Sequence, residues 1–217
     1  MKADQQPSGW DTPPDETLAR PALVGALAHM AIAAVLADPH GVGTMLGSNG
    51  WRRALWEADR LLCPPLVESR AHRQIIASAV TVYFRQLLPP PQWSLLASEP
   101  LVSGTRPDVL WRHRSGRLLA DEIKTGHTSL DLTRTRQQAA RQLAAIRSTH
   151  GDAAIGIRVL STRAPQASWF LDSAGGRGPM PPGLYRQPLR DRRHPAHVPW
   201  TLRDGAWTPG ARGPPTP

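Results

Sequence analysis

Asp108, Glu122 and Lys124 are the side chains whose types and spacing point most directly to chemistry. They lie in the stretch TRPDVLWRHRSGRLLADEIKTG, residues 105–126. Two carboxylates converging beside a lysine form a site for a hard divalent cation and a water that it activates. The lysine is itself unusual in this chain. Of 26 basic residues only Lys2 and Lys124 are lysines, and the other 24 are arginines. An ammonium is a compact point charge with a movable pKa, which suits orienting an attacking oxygen or stabilising charge on phosphorus. The alternative is a strand-end lysine whose head reaches out to water.

Bringing these groups together requires a hairpin. Val109-Leu110-Trp111 and Leu118-Leu119-Ala120 flank a polar turn from Arg112 to Arg117, a pattern of two short strands and a connection. Side chains alternate across a strand, so Ala120, Glu122 and Lys124 share one face while Leu119, Asp121 and Ile123 share the other. Asp108, on the adjacent strand, is then expected to meet Glu122 and Lys124. Asp121 points away from them and is assigned a structural or supporting role. Taken singly, Asp108 could instead cap a turn after Pro107, and Glu122 could pair with an arginine.

Pro107-Asp108, thirteen intervening residues and Glu122-x-Lys124 together resemble the PD-(D/E)XK nuclease superfamily, with its restriction-endonuclease-like fold. The ending Ile123-Lys124-Thr125-Gly126 is similar to that of RecB-type members. The resemblance covers about residues 66–162. It implies Mg²⁺ or Mn²⁺ held by Asp108, Glu122 and the main-chain carbonyl of Ile123, with Lys124 beside the attacking water. Gln138 resembles the helix glutamine of RecB-type nucleases, although Gln142 stands where their pattern has tyrosine. Gly25-x-x-x-His29 is similar to the first RecB-type motif, in which the histidine binds metal; a histidine on an alanine-rich helix also reads as a core or rim residue. Glu68 stands where superfamily members often carry an acid, and it equally complements a helix N-terminus. Glu99, near a strand end, adds a possible metal-site carboxylate or a solvent-facing acid.

The remaining elements follow from periodicity and breakers. Helices are expected over Pro21–Ala37, Trp51–Leu62, Leu66–Leu88 and Leu132–Thr149. Strands are expected over Trp93–Val102, Arg106–Trp111, Arg117–Lys124 and Ala154–Leu160, with Trp169-Phe170-Leu171 as one more. The fold class is therefore α/β: an αβββαβ core with a mixed central sheet and an N-terminal helical accessory region. Residues 1–16 read as a flexible arm, 17–65 as accessory helices and 66–165 as the core. Residues 166–217 read as a Pro/Gly/Arg-rich extension with a small hairpin around Asp204-Gly205. Arg134 and Arg141, on either side of Gln138 along one helix, suit phosphate contacts or a solvated face.

Charge is uneven along the chain. Residues 1–65 hold five basic and seven acidic side chains, whereas residues 66–217 hold 21 and ten. The positive charge thus travels with the candidate site, as a polyphosphate partner requires. One cysteine, Cys63, excludes an internal disulfide and a multi-cysteine metal site. With no leader-like pattern at the start, a cytoplasmic protein without a membrane span is expected. The expected activity is metal-dependent hydrolysis of nucleic acid, DNA first. The alternatives are a non-cleaving nucleic-acid-binding module, or a nuclease subunit activated by a protein partner docking on residues 17–65. Homo-oligomerisation is compatible with any of these.

Overall fold

A computed structural model describes residues 16–62, 70–126 and 133–186, and the backbone of 200–203 and 206–209. The N-terminal layer comprises α1 (Glu16–Ala37), α2 (Gly41–Leu46), α3 (Gly50–Leu61) and α4 (Arg70–Val82). Helix α1 buries Val24, Leu27, Ala28, Ala31, Ile32 and Val35, the spacing of a single apolar stripe on a 3.6-residue helix. Helix α4 ends in a π-turn, Tyr83–Leu87, in which the Leu88 N–H donates to the Tyr83 carbonyl at 2.7 Å. Pro89-Pro90-Pro91 cannot continue it.

The sheet has six strands in the order β1-β2-β3-β4-β5-β6. They are β1 (Trp93–Ser98), β2 (Val109–His113), β3 (Leu118–Lys124), β4 (Ala154–Ser161), β5 (Trp169–Asp172) and β6 (Arg177–Pro179). Helix α5 (Thr133–His150) crosses from β3 to β4, the one parallel pair. Such a pair needs a crossover that covers one face of the sheet. Strand β3 is accordingly buried on both sides. Leu119 and Ile123 join the core beneath α1, α3 and α4, while Leu118 and Ala120 join the core beneath α5 with Leu143, Ile146 and Ile157. A hairpin of β7 (Trp200–Arg203) and β8 (Ala206–Pro209) lies where the Asp-Gly turn predicts it.

The order helix, three strands, helix, strand is the one expected from sequence, and several boundaries differ. The first strand stops at Ser98 because Glu99 adopts a positive φ of 48°; Val102 instead pairs with Thr105 in an isolated bridge. The second strand starts at Val109, leaving Pro107-Asp108 just outside it. Helix α2 and strand β6 have no expected counterpart. Strand β4 is bulged at Gly156, whose φ is +155°. A Cβ there would lie 2.3 Å from the Phe170 ring and 2.4 Å from the Leu171 carbonyl. The expected arm at 1–16 falls almost entirely outside the described residues, as do Glu68 and Cys63. Among the described residues no helix is long and apolar enough to cross a membrane.

Candidate active site

The C-terminal end of β3 is where four segments meet, with α5 supplying Gln138 and Gln142. Glu122 and Lys124 leave β3 on the α5 side, Asp108 arrives from the loop before β2, and His29 comes from α1. The approach of α1 is close: a Cβ on Gly25 would stand 3.0 Å from Thr125 Oγ1. Glycine at this position lets the helix lie against the strand end and brings His29, one turn on, over Asp108.

Asp108 and Glu122 each have a distinct set of donors. The Asp108 carboxylate accepts from the Ile123 N–H at 2.5 Å and lies 3.1 Å from His29 Nδ1. Glu122 Oε1 accepts from Lys124 Nζ at 2.6 Å and from Gln138 Nε2 at 2.8 Å. Glu122 Oε2 accepts from Gln142 Nε2 at 2.7 Å. Lys124 Nζ also donates to Gln138 Oε1 at 3.1 Å, which leaves one of its three N–H bonds for another acceptor. The depth is graded. The Glu122 side chain is 3% exposed and forms the floor, whereas Asp108 at 14% and Lys124 and His29 at 23% form an accessible wall.

These surroundings shift two titrations. Burial raises the Glu122 pKa above the usual carboxylate value, and the Asp108 charge raises it further, against the lowering effect of Lys124. For His29, burial disfavours the charged ring. Its hydrogen bond to Asp108 and the charges of Asp108 and Glu122 outweigh burial, so the pKa is raised overall. The two carboxylates thus act on each other through a partly desolvated space, which concentrates negative potential at the strand end.

The donor set fits a hard divalent ion. Both acids are oxygen ligands with unused lone pairs. In an extended strand the N–H and C=O of one residue project to the same side, and the Ile123 N–H points at Asp108. Its carbonyl therefore opens toward Asp108 as well. Among the described residues no group of three or more acidic, histidine or cysteine side chains gathers for a metal. A set of two carboxylates and one carbonyl suits Mg²⁺, which keeps several waters and takes few protein ligands. Gln142 Oε1, buried here without a hydrogen-bond partner, is a further acceptor at the floor.

Of the other residues singled out from sequence, Arg134 and Arg141 are exposed along α5. The Glu99 carboxylate lies 4.0 Å from the Arg106 guanidinium, and its N–H donates to the Asp108 carbonyl at 2.8 Å. It supports the Asp108 loop through its backbone. Asp121 faces away from the site, as alternation requires, and its surroundings were not legible in sequence. It accepts from Arg158 Nε and Nη2, both at 2.7 Å, from Tyr83 Oη at 2.8 Å and from Trp111 Nε1 at 2.9 Å. Arg158 Nη1 donates to the Leu87 carbonyl at 2.8 Å and to the Leu184 carbonyl. Asp121 and Arg158 are both fully buried. This network fixes β3 one residue before Glu122. Gln142 was missed as a site residue; its position four residues after Gln138, one helical turn, was the available signal.

No protein-family model matches the chain, and no curated protein matches it with significance. Among solved structures the chain is similar to one titled "Structure of EndoMS-dsDNA2 complex", at 20% identity and a TM-score of 0.27. That likeness covers 34% of this chain and 28% of the other, so this chain spans little more than a quarter of its neighbour's length.

Proposed function

We propose that this chain is a Mg²⁺- or Mn²⁺-dependent phosphodiesterase that hydrolyses nucleic acid, DNA first, on a restriction-endonuclease-like core of the PD-(D/E)XK type. The observation that carries this reading is the convergence of His29, Asp108, Glu122, Lys124 and Gln138 from four separate segments on one accessible strand end. A merely solvated strand end would not need a buried glutamate held by a lysine and two amides.

A divalent ion held by Asp108, Glu122 and the Ile123 carbonyl would supply Lewis-acid polarisation of the scissile phosphate and the attacking water. The chain's own residues do the positioning. Gln138 and Gln142 hold the Glu122 carboxylate in one rotamer, so its oxygens do not reorganise when phosphate arrives. Lys124, with one N–H left over from Glu122 and Gln138, would orient the attacking oxygen and offset charge building on phosphorus. His29 holds Asp108 from the helical side and is the group in reach to take a ligand or proton-carrying role there. Arg134 and Arg141 stand on α5 as sequence-independent phosphate contacts.

The test is incubation with supercoiled plasmid, single-stranded DNA and RNA, in Mg²⁺, Mn²⁺ or EDTA. Cleavage of DNA with either metal and none in EDTA is expected. Equal cleavage in EDTA would reject the metal-dependent assignment. A partner-activated subunit is the second reading, favoured by Trp56. This side chain is 53% exposed on α3, beneath the Arg53 and Arg60 guanidinium groups at 5.0 and 5.9 Å from its ring centroid. DNA binding without cleavage by the isolated chain, with cleavage on adding a partner, would select it.

A further inference from the structure

Leu101 is exposed over 72% of its surface, the largest value for a large apolar side chain among the described residues. It belongs to the connection between β1 and β2. An exposed leucine on a slack loop would mean little. This connection is not slack. The Glu99 N–H donates to the Asp108 carbonyl, and Val102 and Thr105 exchange both main-chain hydrogen bonds, each at 2.8 Å. Val102 is buried in the core beneath α5. Ser103 Oγ lies 3.2 and 3.1 Å from the Ser148 and Thr149 hydroxyls of α5. Glu99 and Ser103 hold φ values of 48° and 43°, a region that a side chain adopts where its surroundings impose it.

The same pins set where Leu101 stands. Ser98 pairs with Val109, and Val109 with Asp121, so the connection leaves the sheet at the end where β3 delivers Glu122 and Lys124. Two residues of chain lead from Glu99, bonded to Asp108, to Leu101. The Leu101 Cα therefore lies within about 12 Å of the Asp108 Cα. Val102 bridges to Thr105, which places Leu101 opposite Arg106, the residue before Pro107-Asp108. Arg106 is exposed, with the Glu99 carboxylate 4.0 Å from its guanidinium. Ser103 and Gly104 are the other exposed residues between Leu101 and Arg106.

We infer that Leu101 is a wedge for duplex DNA: with the backbone lying across the strand-end acids, this side chain enters between bases about three or four steps away, and Arg106 takes the adjacent phosphate. This rests on the reading of the chain as a nucleic-acid enzyme and names its substrate as a duplex. A protein partner fits the feature less well. A stable protein interface takes about 800 Å² from each side, and here one leucine stands among small and polar residues. Insertion of an apolar side chain between base steps is a recurrent way for proteins to kink a duplex. The rigid mount suits that role, because a wedge must part stacked bases and a slack loop would yield instead. Pyrimidine–purine steps open most readily, so Leu101 is expected to bias the chain toward them.

The test uses a duplex oligonucleotide with a fluorescent adenine analogue, one that brightens on unstacking, at a central TA step. It is titrated with the full chain in EDTA, so that cleavage does not intervene. Fluorescence at saturation should rise severalfold with the native chain and with Leu101→Met, which keeps an apolar side chain of similar size. Leu101→Ala should bind within about twofold of the native chain by anisotropy, since phosphate contacts carry most of the affinity, and leave the base dark. Its urea midpoint should be unchanged, because the side chain is exposed. Arg106→Ala should weaken binding and keep the signal at saturation; loss of the signal there would reduce the effect to charge and overturn the inference. Native-level fluorescence with Leu101→Ala would also overturn it, as would binding that leaves the base stacked, or no duplex binding. Hydrolysis stands or falls separately. Plasmid cleavage by a chain that leaves bases stacked removes the wedge alone, and Leu101-dependent unstacking without cleavage in Mg²⁺ removes the enzyme alone.

Discussion

Gln142 and Glu122 are twenty residues apart in the chain and joined by a 2.7 Å hydrogen bond from the amide Nε2 to the carboxylate Oε2. The same amide nitrogen reaches the Arg106 carbonyl at 3.2 Å. One buried side chain thus ties α5 to both the floor carboxylate and the loop that carries Asp108. Gln142→Leu keeps the bulk and removes the donor, leaving a buried carboxylate oxygen short of a partner. The expected cost is about 1–3 kcal/mol of stability, read as a lower urea midpoint. Cleavage should fall about tenfold to a hundredfold, as for residues that orient metal ligands. A Gln142→Leu protein with unchanged stability and rate would remove this residue from the site.

Asp121 and Arg158 form the other anchor of β3. Arg158→Met leaves a buried carboxylate with only Tyr83 and Trp111 as donors, and the expected loss is about 3–5 kcal/mol. The double change Asp121→Leu with Arg158→Met removes both charges at once. It is expected to be more stable than Arg158→Met alone, since the unpaired charge is the costly element. Urea denaturation of the three proteins checks this, and additive losses would contradict it.

Local sequence rules reach the site at some residues and stop at others. Alternation along β3 placed Glu122 and Lys124 on one face and Asp121 on the other, because a period of two follows from strand geometry alone. The partners of Asp121 obey no such local rule. Tyr83 and Arg158 lie 38 and 37 residues away, and only the packing of α4 and the β3–β4 pairing bring them together. Helix α2 is hidden in the sequence because it is six residues long and its Gly41 and Gly43 fall in the stretch from Asp38 to Gly43 that reads as the end of the preceding helix. In the fold, a Cβ on Gly41 would stand 2.1 Å from the Val35 carbonyl, so glycine permits a close turn of one helix onto the next. The composition of Arg106 to Trp111 predicts strand throughout, yet β2 starts at Val109 and Asp108 sits in the loop before it. The positive φ of Glu99 and the Val102–Thr105 bridge break the pairing earlier.

His29 gives a pH signature that can be read without metal. Its pKa is raised in the folded chain: burial opposes the charged ring, and the Asp108 hydrogen bond and neighbouring negative charge exceed that effect. The folded state therefore holds a proton that the unfolded chain has already released. Stability from His29 is fully present below its unfolded pKa of about 6.5 and is lost as pH rises through the raised folded value. In EDTA, the stability difference between the native chain and His29→Gln should be larger at about pH 6 than at about pH 9. An equal difference at both would mean that His29 is not charged against Asp108.

If the acids and the ammonium at the end of β3 act together on one phosphate, single-turnover cleavage of plasmid DNA in Mg²⁺ will depend on each of them. Asp108→Ala and Lys124→Ala should each fold with a native-like melting transition and cleave at least about a hundredfold more slowly than the parent, the range for losing a group that stabilises developing charge. Cleavage by either variant at the parent rate would place the chemistry away from the end of β3.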